Sequence, residues 1–241
     1  MGCSTTGIVA VLIMVAALIF SMVSFVAPNW SMSESPSDTL TNIKFSTGVW
    51  GYCVNAEYNT GANLSSKFVD TCFSFYAPGK ISLNTSTTSL RQNNSISVCD
   101  AVRSLDESDL APFVAVTGVN KDAFRAFLVL SCGSVGKSSF VFALLAVLFG
   151  TLGVLVSIVF VVCFPVKSCL VSFLKALTCG AALSSLIAFM CWLAQTASLG
   201  KAGIHPGSCF VIEIIACVSF LGAYAAINHH AASQSVGVKT V

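Results

Sequence analysis

Thiol chemistry is the first that this sequence invites, because it carries 11 cysteines in 241 residues. Cys53, Cys72, Cys99 and Cys132 fall in a hydrophilic insert, whereas Cys179, Cys191 and Cys217 fall in apolar runs, where Cys behaves as a small hydrophobe. No CxxC pair occurs and no His stands among the insert cysteines, so the spacing argues against zinc, and no cofactor is called for. On an oxidising side of a membrane, four cysteines allow three pairings. Gly48 to Val54 and Phe68 to Tyr76 are rich in aromatic and branched side chains, and the polar segment 55–66 between them is turn-prone. That pattern predicts a β-hairpin setting Cys53 beside Cys72. It favours Cys53 with Cys72 and, alongside, Cys99 with Cys132; a free Cys132 thiol near the membrane surface is the alternative.

Carboxylate and ammonium chemistry is confined to two positions inside apolar spans, Glu213 and Lys175. An ionisable group in hydrocarbon is a functional hypothesis by default. Glu213 lies five residues into its span and Lys175 six residues into another from the opposite side, which puts them roughly 8 and 9 Å below opposite surfaces. They are too far apart to pair. Lys175 is expected to snorkel to the headgroups. Glu213 reads either as a protonated or hydrogen-bonded structural residue or as part of a cation pathway or lipid contact.

Lipid attachment is the remaining chemistry. Met1-Gly2-Cys3-Ser4-Thr5-Thr6 matches the N-myristoylation pattern at Gly2, with Cys3 as a second acylation position, and Cys163 and Cys169 are candidates for palmitoylation. The C-terminal Val238-Lys239-Thr240-Val241 has Lys where a common PDZ ligand has Ser or Thr, which argues against a PDZ partner. No HExxH, GxSxG, P-loop or GxGxxG motif occurs, and the chain reads as non-enzymatic.

The elements that position these residues follow from composition. The chain is 55% hydrophobic and 9% charged, against roughly 25% charged in a soluble domain. A net charge of +2 without a basic run excludes a nucleic-acid partner. Nine of the ten acids and eight of the twelve bases lie between Glu34 and Lys137. A bilayer core about 30 Å thick needs about 20 apolar residues in a helix. Four stretches qualify, 7–28, 138–164, 169–193 and 208–228. The first lacks a basic n-region and a small-residue cleavage site, so it reads as a span and not as a signal peptide.

The expected fold class is therefore membrane all-α, a four-helix transmembrane bundle with a small disulfide-stapled sheet in the first loop. The loop covers 29–137, a turn 165–168 and a second loop 194–207, between termini at 1–6 and 229–241. Sequons start at Asn29, Asn63, Asn84 and Asn93, all in the insert. Asn29 is too near the bilayer, which leaves Asn63, Asn84 and Asn93 as glycan acceptors. Sequons and loop cysteines together put the insert outside and both termini in the cytoplasm. Lys167 and Lys239 against Lys201 add little to that orientation.

Smaller expectations follow. Trp30 reads as an interfacial anchor. The run 82–97 is mostly Ser, Thr and Asn and reads as a flexible, glycan-bearing stretch. Asn120 is placed to cap a short helix with Phe124, Phe127 and Leu128 on one face. Small residues at three- and four-residue spacing (Ala146, Gly150, Gly153, Ser157; Ala181, Ala182, Ser184, Ser185; Gly222, Ala226) are read as generic bundle contacts.

Trp30, then Gly48-Val49-Trp50 with Cys53, then Cys72 in a long first loop, resembles the signature of the claudin and peripheral-myelin-protein superfamily. The string Phe45 to Val54 is also similar to fungal PalI-type tetraspans of eisosomes and pH sensing. The motif covers residues 30 to 72. The resemblance implies a left-handed four-helix bundle, an outer sheet with Trp50 at its junction with the membrane, and a Cys53–Cys72 bridge between strands. It implies a plasma-membrane protein that organises membrane domains or cell-surface contacts, its partners being lipids, itself or other membrane proteins; a channel, a transporter or an auxiliary subunit is the alternative. Eighteen residues separate the two cysteines, more than in claudins, and the loop runs on for about sixty beyond Cys72. Such an insert obstructs edge-to-edge packing and points to non-junctional branches.

Overall fold

A computed structural model of the chain describes residues 5–35, 40–58, 67–78, 82–84, 89–91, 97–104, 117, 119–162, 168–200 and 203–238. Gly2, Cys3, Asn63, Asn93 and Cys163 lie outside the described residues. Contacts divide the chain into a bundle body (Met1–Phe25, Val141–Met190, Val211–Val241) and a sheet body (Val26–Phe140, Cys191–Phe210).

Among the described residues, four helices are long and apolar enough to cross a membrane: α1 (Thr5–Val26), α4 (Ser134–Val162), α5 (Ser168–Gly200) and α6 (Ser208–Val238). Two short helices, α2 (Val98–Arg103) and α3 (Lys121–Cys132), precede α4.

Three helix ends depart from expectation. Helix α4 begins at Ser134, directly after Gly133 ends α3, so Lys137 is carried on the helix. Helix α5 continues past Leu193, because 194–199 contains no Gly or Pro and repeats buried positions at helical spacing: Trp192, Gln195 and Leu199. It stops at Gly200, ahead of Gly203 in the left-handed region with φ of 78°. Helix α6 runs ten residues beyond Asn228, again without a breaker before Gly237.

The bundle body shares one apolar core. Ala10, Met14 and Ala17 of α1 pack with Leu174, Ala181 and Ala182 of α5 and with Ala216, Phe220 and Ala223 of α6, and Phe149 of α4 lies against them. Ala146, Ser157, Ser184 and Ser185 are buried, as small residues at helix contacts should be. Gly222 is a correction. It is exposed, and the side chain nearest to an added Cβ is Ile13 at 3.9 Å, so it makes no close helix contact.

The sheet body holds five antiparallel strands in the order β4-β3-β2-β1-β7. They are β1 (Ser31–Ser35), β2 (Leu40–Gly48), β3 (Gly51–Tyr58), β4 (Lys67–Ser74) and β7 (His205–Pro206). Period-two alternation separates two faces. Phe45, Thr47, Tyr52, Val54 and Phe73 are buried on one, while Lys44, Asn55 and Cys72 are exposed on the other. Tyr52 is the centre of the buried face, 5.0 Å from Phe73, 5.3 Å from Phe124 and 5.9 Å from Phe45 between ring centroids. Each such pair is worth about 0.5–1.5 kcal/mol beyond area burial.

Helix α3 supplies the other wall. The Asn120 side chain accepts from the backbone N–H groups of Asp122 (3.0 Å) and Ala123 (3.2 Å), satisfying two donors that a helix start leaves orphaned. Phe124, Phe127 and Leu128 then fall on its buried face. The run 82–97, expected to be flexible, contains a two-stranded ladder of β5 (Ser82–Asn84) and β6 (Ser89–Arg91), in which Leu83 is paired with Leu90.

Candidate functional site

Gly48-Val49-Trp50-Gly51 forms the turn between β2 and β3, with Gly48 paired to Gly51. A Cβ on Gly48 would stand 2.9 Å from the Pro28 Cα and 3.2 Å from the Ala27 carbonyl oxygen, so only glycine lets the turn approach that backbone. Trp50 projects from the turn and donates its indole N–H to the Val26 carbonyl oxygen at 2.8 Å. Val26 ends α1, and a terminal helix carbonyl has no partner within its own helix. The Trp50 carbonyl in turn accepts from the Phe75 N–H at 3.0 Å.

Trp30 corrects its reading as an interfacial anchor, because its ring is wholly buried. It lies 5.5 Å from the Trp192 ring and 6.4 Å from Phe210. The Trp30 backbone N–H donates to the Thr47 carbonyl at 2.9 Å, and the Trp30 carbonyl accepts from the Gly207 N–H at 2.8 Å. β1 is thereby held on both edges.

Two disulfides staple this body. Cys53 and Cys72 are direct partners across β3 and β4, with Cα atoms 4.0 Å apart. The bridge lies on the face opposite the aromatic one, where Cys72 is exposed. Cys99 of α2 is bonded to Cys132 at the end of α3, with Cα atoms 5.2 Å apart. The Cys99 N–H also donates to the Phe75 carbonyl at 3.1 Å, so α2 is tied to the residue that directly follows β4.

A polar relay under the aromatic cluster was not legible in the sequence. Gln195 is 1% exposed, and its amide donates to the Ser131 hydroxyl at 2.7 Å. The Ser131 hydroxyl donates to the Phe127 carbonyl at 2.8 Å, and the Ser131 carbonyl accepts from the Tyr76 hydroxyl at 2.9 Å. Burial pushes the Tyr76 phenol up to about 12 and raises that of fully buried Tyr52 well above its ordinary value. The hint in the sequence was the helical spacing of Trp192, Gln195 and Leu199.

The bundle body holds a second polar group. Glu213 is 1% exposed, and the Ser185 hydroxyl donates to its Oε1 at 2.6 Å and lies 3.3 Å from its backbone carbonyl. Ser24 also hydrogen-bonds the carboxyl group. Ser185, read in the sequence as a generic small contact residue, is thus a partner of the carboxyl. Cys217, one turn along α6, donates its thiol to the Ala182 carbonyl at 3.4 Å.

The predicted residues therefore divide into two sets. Trp30, Gly48, Trp50, Cys53, Cys72, Cys99 and Cys132 belong to the sheet body, and Glu213, Lys175 and Cys169 to the bundle body. Lys175 is half-buried, ten positions before Ser185 on α5, and Cys169 is an exposed thiol near the start of that helix. Asn84 lies on β5. Among the described residues, no group of three His, Cys, Asp or Glu side chains is placed to hold a metal ion. The chain matches no protein-family model, and no curated protein matches it significantly.

Proposed function

We propose that this chain is a claudin-like multi-pass glycoprotein of the plasma membrane. In this reading both termini are cytoplasmic, the four apolar helices associate laterally, and the stapled sheet lies outside, where it helps to organise membrane domains or cell-surface and cortical contacts. The observation that carries the reading is the joining of the motif residues into one body: the Gly48–Gly51 turn, Trp50 on the Val26 carbonyl, buried Trp30, and Cys53 bridged to Cys72. A stapled sheet of this kind suits a recognition surface. Its partners are lipids, further copies of the chain or other membrane proteins. Imaging of a tagged full-length chain tests it. Clustering in cortical patches or at cell–cell borders, together with energy transfer between two differently labelled copies, is the expected result. An even distribution in internal membranes without energy transfer would sink the proposal. The alternative, a channel or transporter or an auxiliary subunit, is favoured by one observation, the carboxyl of Glu213 inside an apolar helix bundle.

A further inference from the structure

The bundle body contains a group that an organising role leaves unused. Glu213 on α6 is 1% exposed, and its carboxyl is met by hydroxyls from two other helices, Ser24 of α1 and Ser185 of α5. A carboxylate taken out of water needs a compensating positive charge, a bound cation or a proton. Among the described residues of this body, the basic side chains are Lys175, His229 and His230. Lys175 precedes Ser185 by ten residues and His229 follows Glu213 by sixteen, roughly 15 and 24 Å along their helices. None of these three described side chains reaches the carboxyl along its helix.

The hydroxyls supply what such a cation needs. A serine hydroxyl has one proton to donate and two lone pairs. Ser185 uses its proton on Oε1 at 2.6 Å, which leaves its lone pairs turned away from the carboxylate. Ser21, one turn before Ser24 and on the same side of α1, is 1% exposed, and its Oγ has no hydrogen-bond partner. Ser24 itself is wholly buried. Hard oxygen donors, one negative charge and no thiolate or imidazole among them suit a small monovalent cation, and a divalent ion would leave a net charge in the bundle.

We propose that the Glu213 carboxylate and the hydroxyls of Ser24, Ser185 and Ser21 bind one sodium ion within the helix bundle. The site joins α1, α5 and α6, so its occupancy stabilises their association. It is independent of the organising role.

Thermal unfolding of the purified full-length protein in detergent, with NaCl exchanged for choline chloride at fixed pH and ionic strength, tests the site. Sodium at about ten times its dissociation constant should raise the midpoint by about 3 °C in a chain of this size. Glu213→Gln should abolish the difference between the two salts, and Ser185→Ala should move it to about tenfold higher sodium. Equal midpoints in sodium and choline for the unaltered protein, or a sodium shift retained in Glu213→Gln, would overturn the proposal. A second measurement needs no variant. A protonated carboxyl adds across a C=N bond of dicyclohexylcarbodiimide to give an O-acylisourea, whose O-to-N acyl shift leaves a stable N-acylurea that peptide mass mapping reads on Glu213. Sodium should slow that modification several-fold relative to choline. An equal rate in both salts would identify a proton as the only occupant and reject the sodium site.

Discussion

Trp192 donates its indole N–H to the Ser31 hydroxyl at 3.1 Å, joining residues 161 positions apart inside the sheet body. Both side chains are buried, and the Trp192 ring packs on Trp30 and on Phe127, with centroids at 5.5 and 6.2 Å. Trp192→Phe keeps an aromatic ring and loses one buried hydrogen bond, leaving Ser31 unpartnered by the indole, for a cost of about 1–3 kcal/mol. Trp192→Ala opens a cavity and should cost about 3–5 kcal/mol. Chemical unfolding of the two variants in detergent should keep that order. Equal destabilisation by Phe and Ala would show that the hydrogen bond, not the ring, accounts for the contact.

The bridge between Cys53 and Cys72 closes a loop with a sequence separation of 19. Removing a native disulfide from a small extracellular unit costs about 2–5 kcal/mol, comparable with the stability of a small sheet. Cys53→Ser and Cys72→Ser should each cause retention in the secretory pathway. The double variant should be no worse than either, since all three remove the same bond. Non-reducing peptide mapping checks the partners directly, and recovery of Cys53 joined to Cys99 or Cys132 would contradict the strand register.

Orientation is tested by glycans. Under the proposed topology, glycosidase treatment increases gel mobility, and replacing Asn63, Asn84 and Asn93 together by Gln abolishes that shift. A tag in the 194–207 segment that is reachable only from the cytoplasm would reverse the assignment.

Tyr76 provides a pH-dependent signature of the sheet body. Its phenol is raised from 10.0 to about 12 by burial, and its hydroxyl donates to the Ser131 carbonyl. The unfolded chain therefore loses this proton first. The linked stability is fully present below pH 10, the ordinary tyrosine value, and is lost as pH rises through about 12. Tyr76→Phe should be less stable by about 1 kcal/mol at neutral pH, for the lost hydrogen bond, and should decline less steeply above pH 10. Phenolate absorbance during an alkaline titration reads the step; a phenol that titrates near 10 in the unaltered protein and is missing in Tyr76→Phe would remove the basis for this effect.

The parts of the molecule legible in the sequence are those whose free energy is local. Twenty apolar residues in a row need no tertiary partner to favour a helix, so the four long helices were evident from composition. The Asn120 cap and the Cys53–Cys72 hairpin likewise depend on neighbours within about twenty positions. Tertiary structure decided the rest. Ser31–Ser35 has no strand propensity of its own, and it becomes β1 because β2 and β7 offer backbone partners on both edges. Trp30 looked like a membrane anchor until Trp192 of α5 supplied an aromatic partner. Ser185, read as a bundle contact, and Ser24, unremarked in the sequence, became partners of Glu213 only when α1, α5 and α6 brought three oxygen-bearing side chains together. A hydroxyl in a single helix can always return its proton to its own backbone, so no pattern along the chain distinguishes a spacer from a ligand. That choice is made by whichever acceptor another helix places within reach.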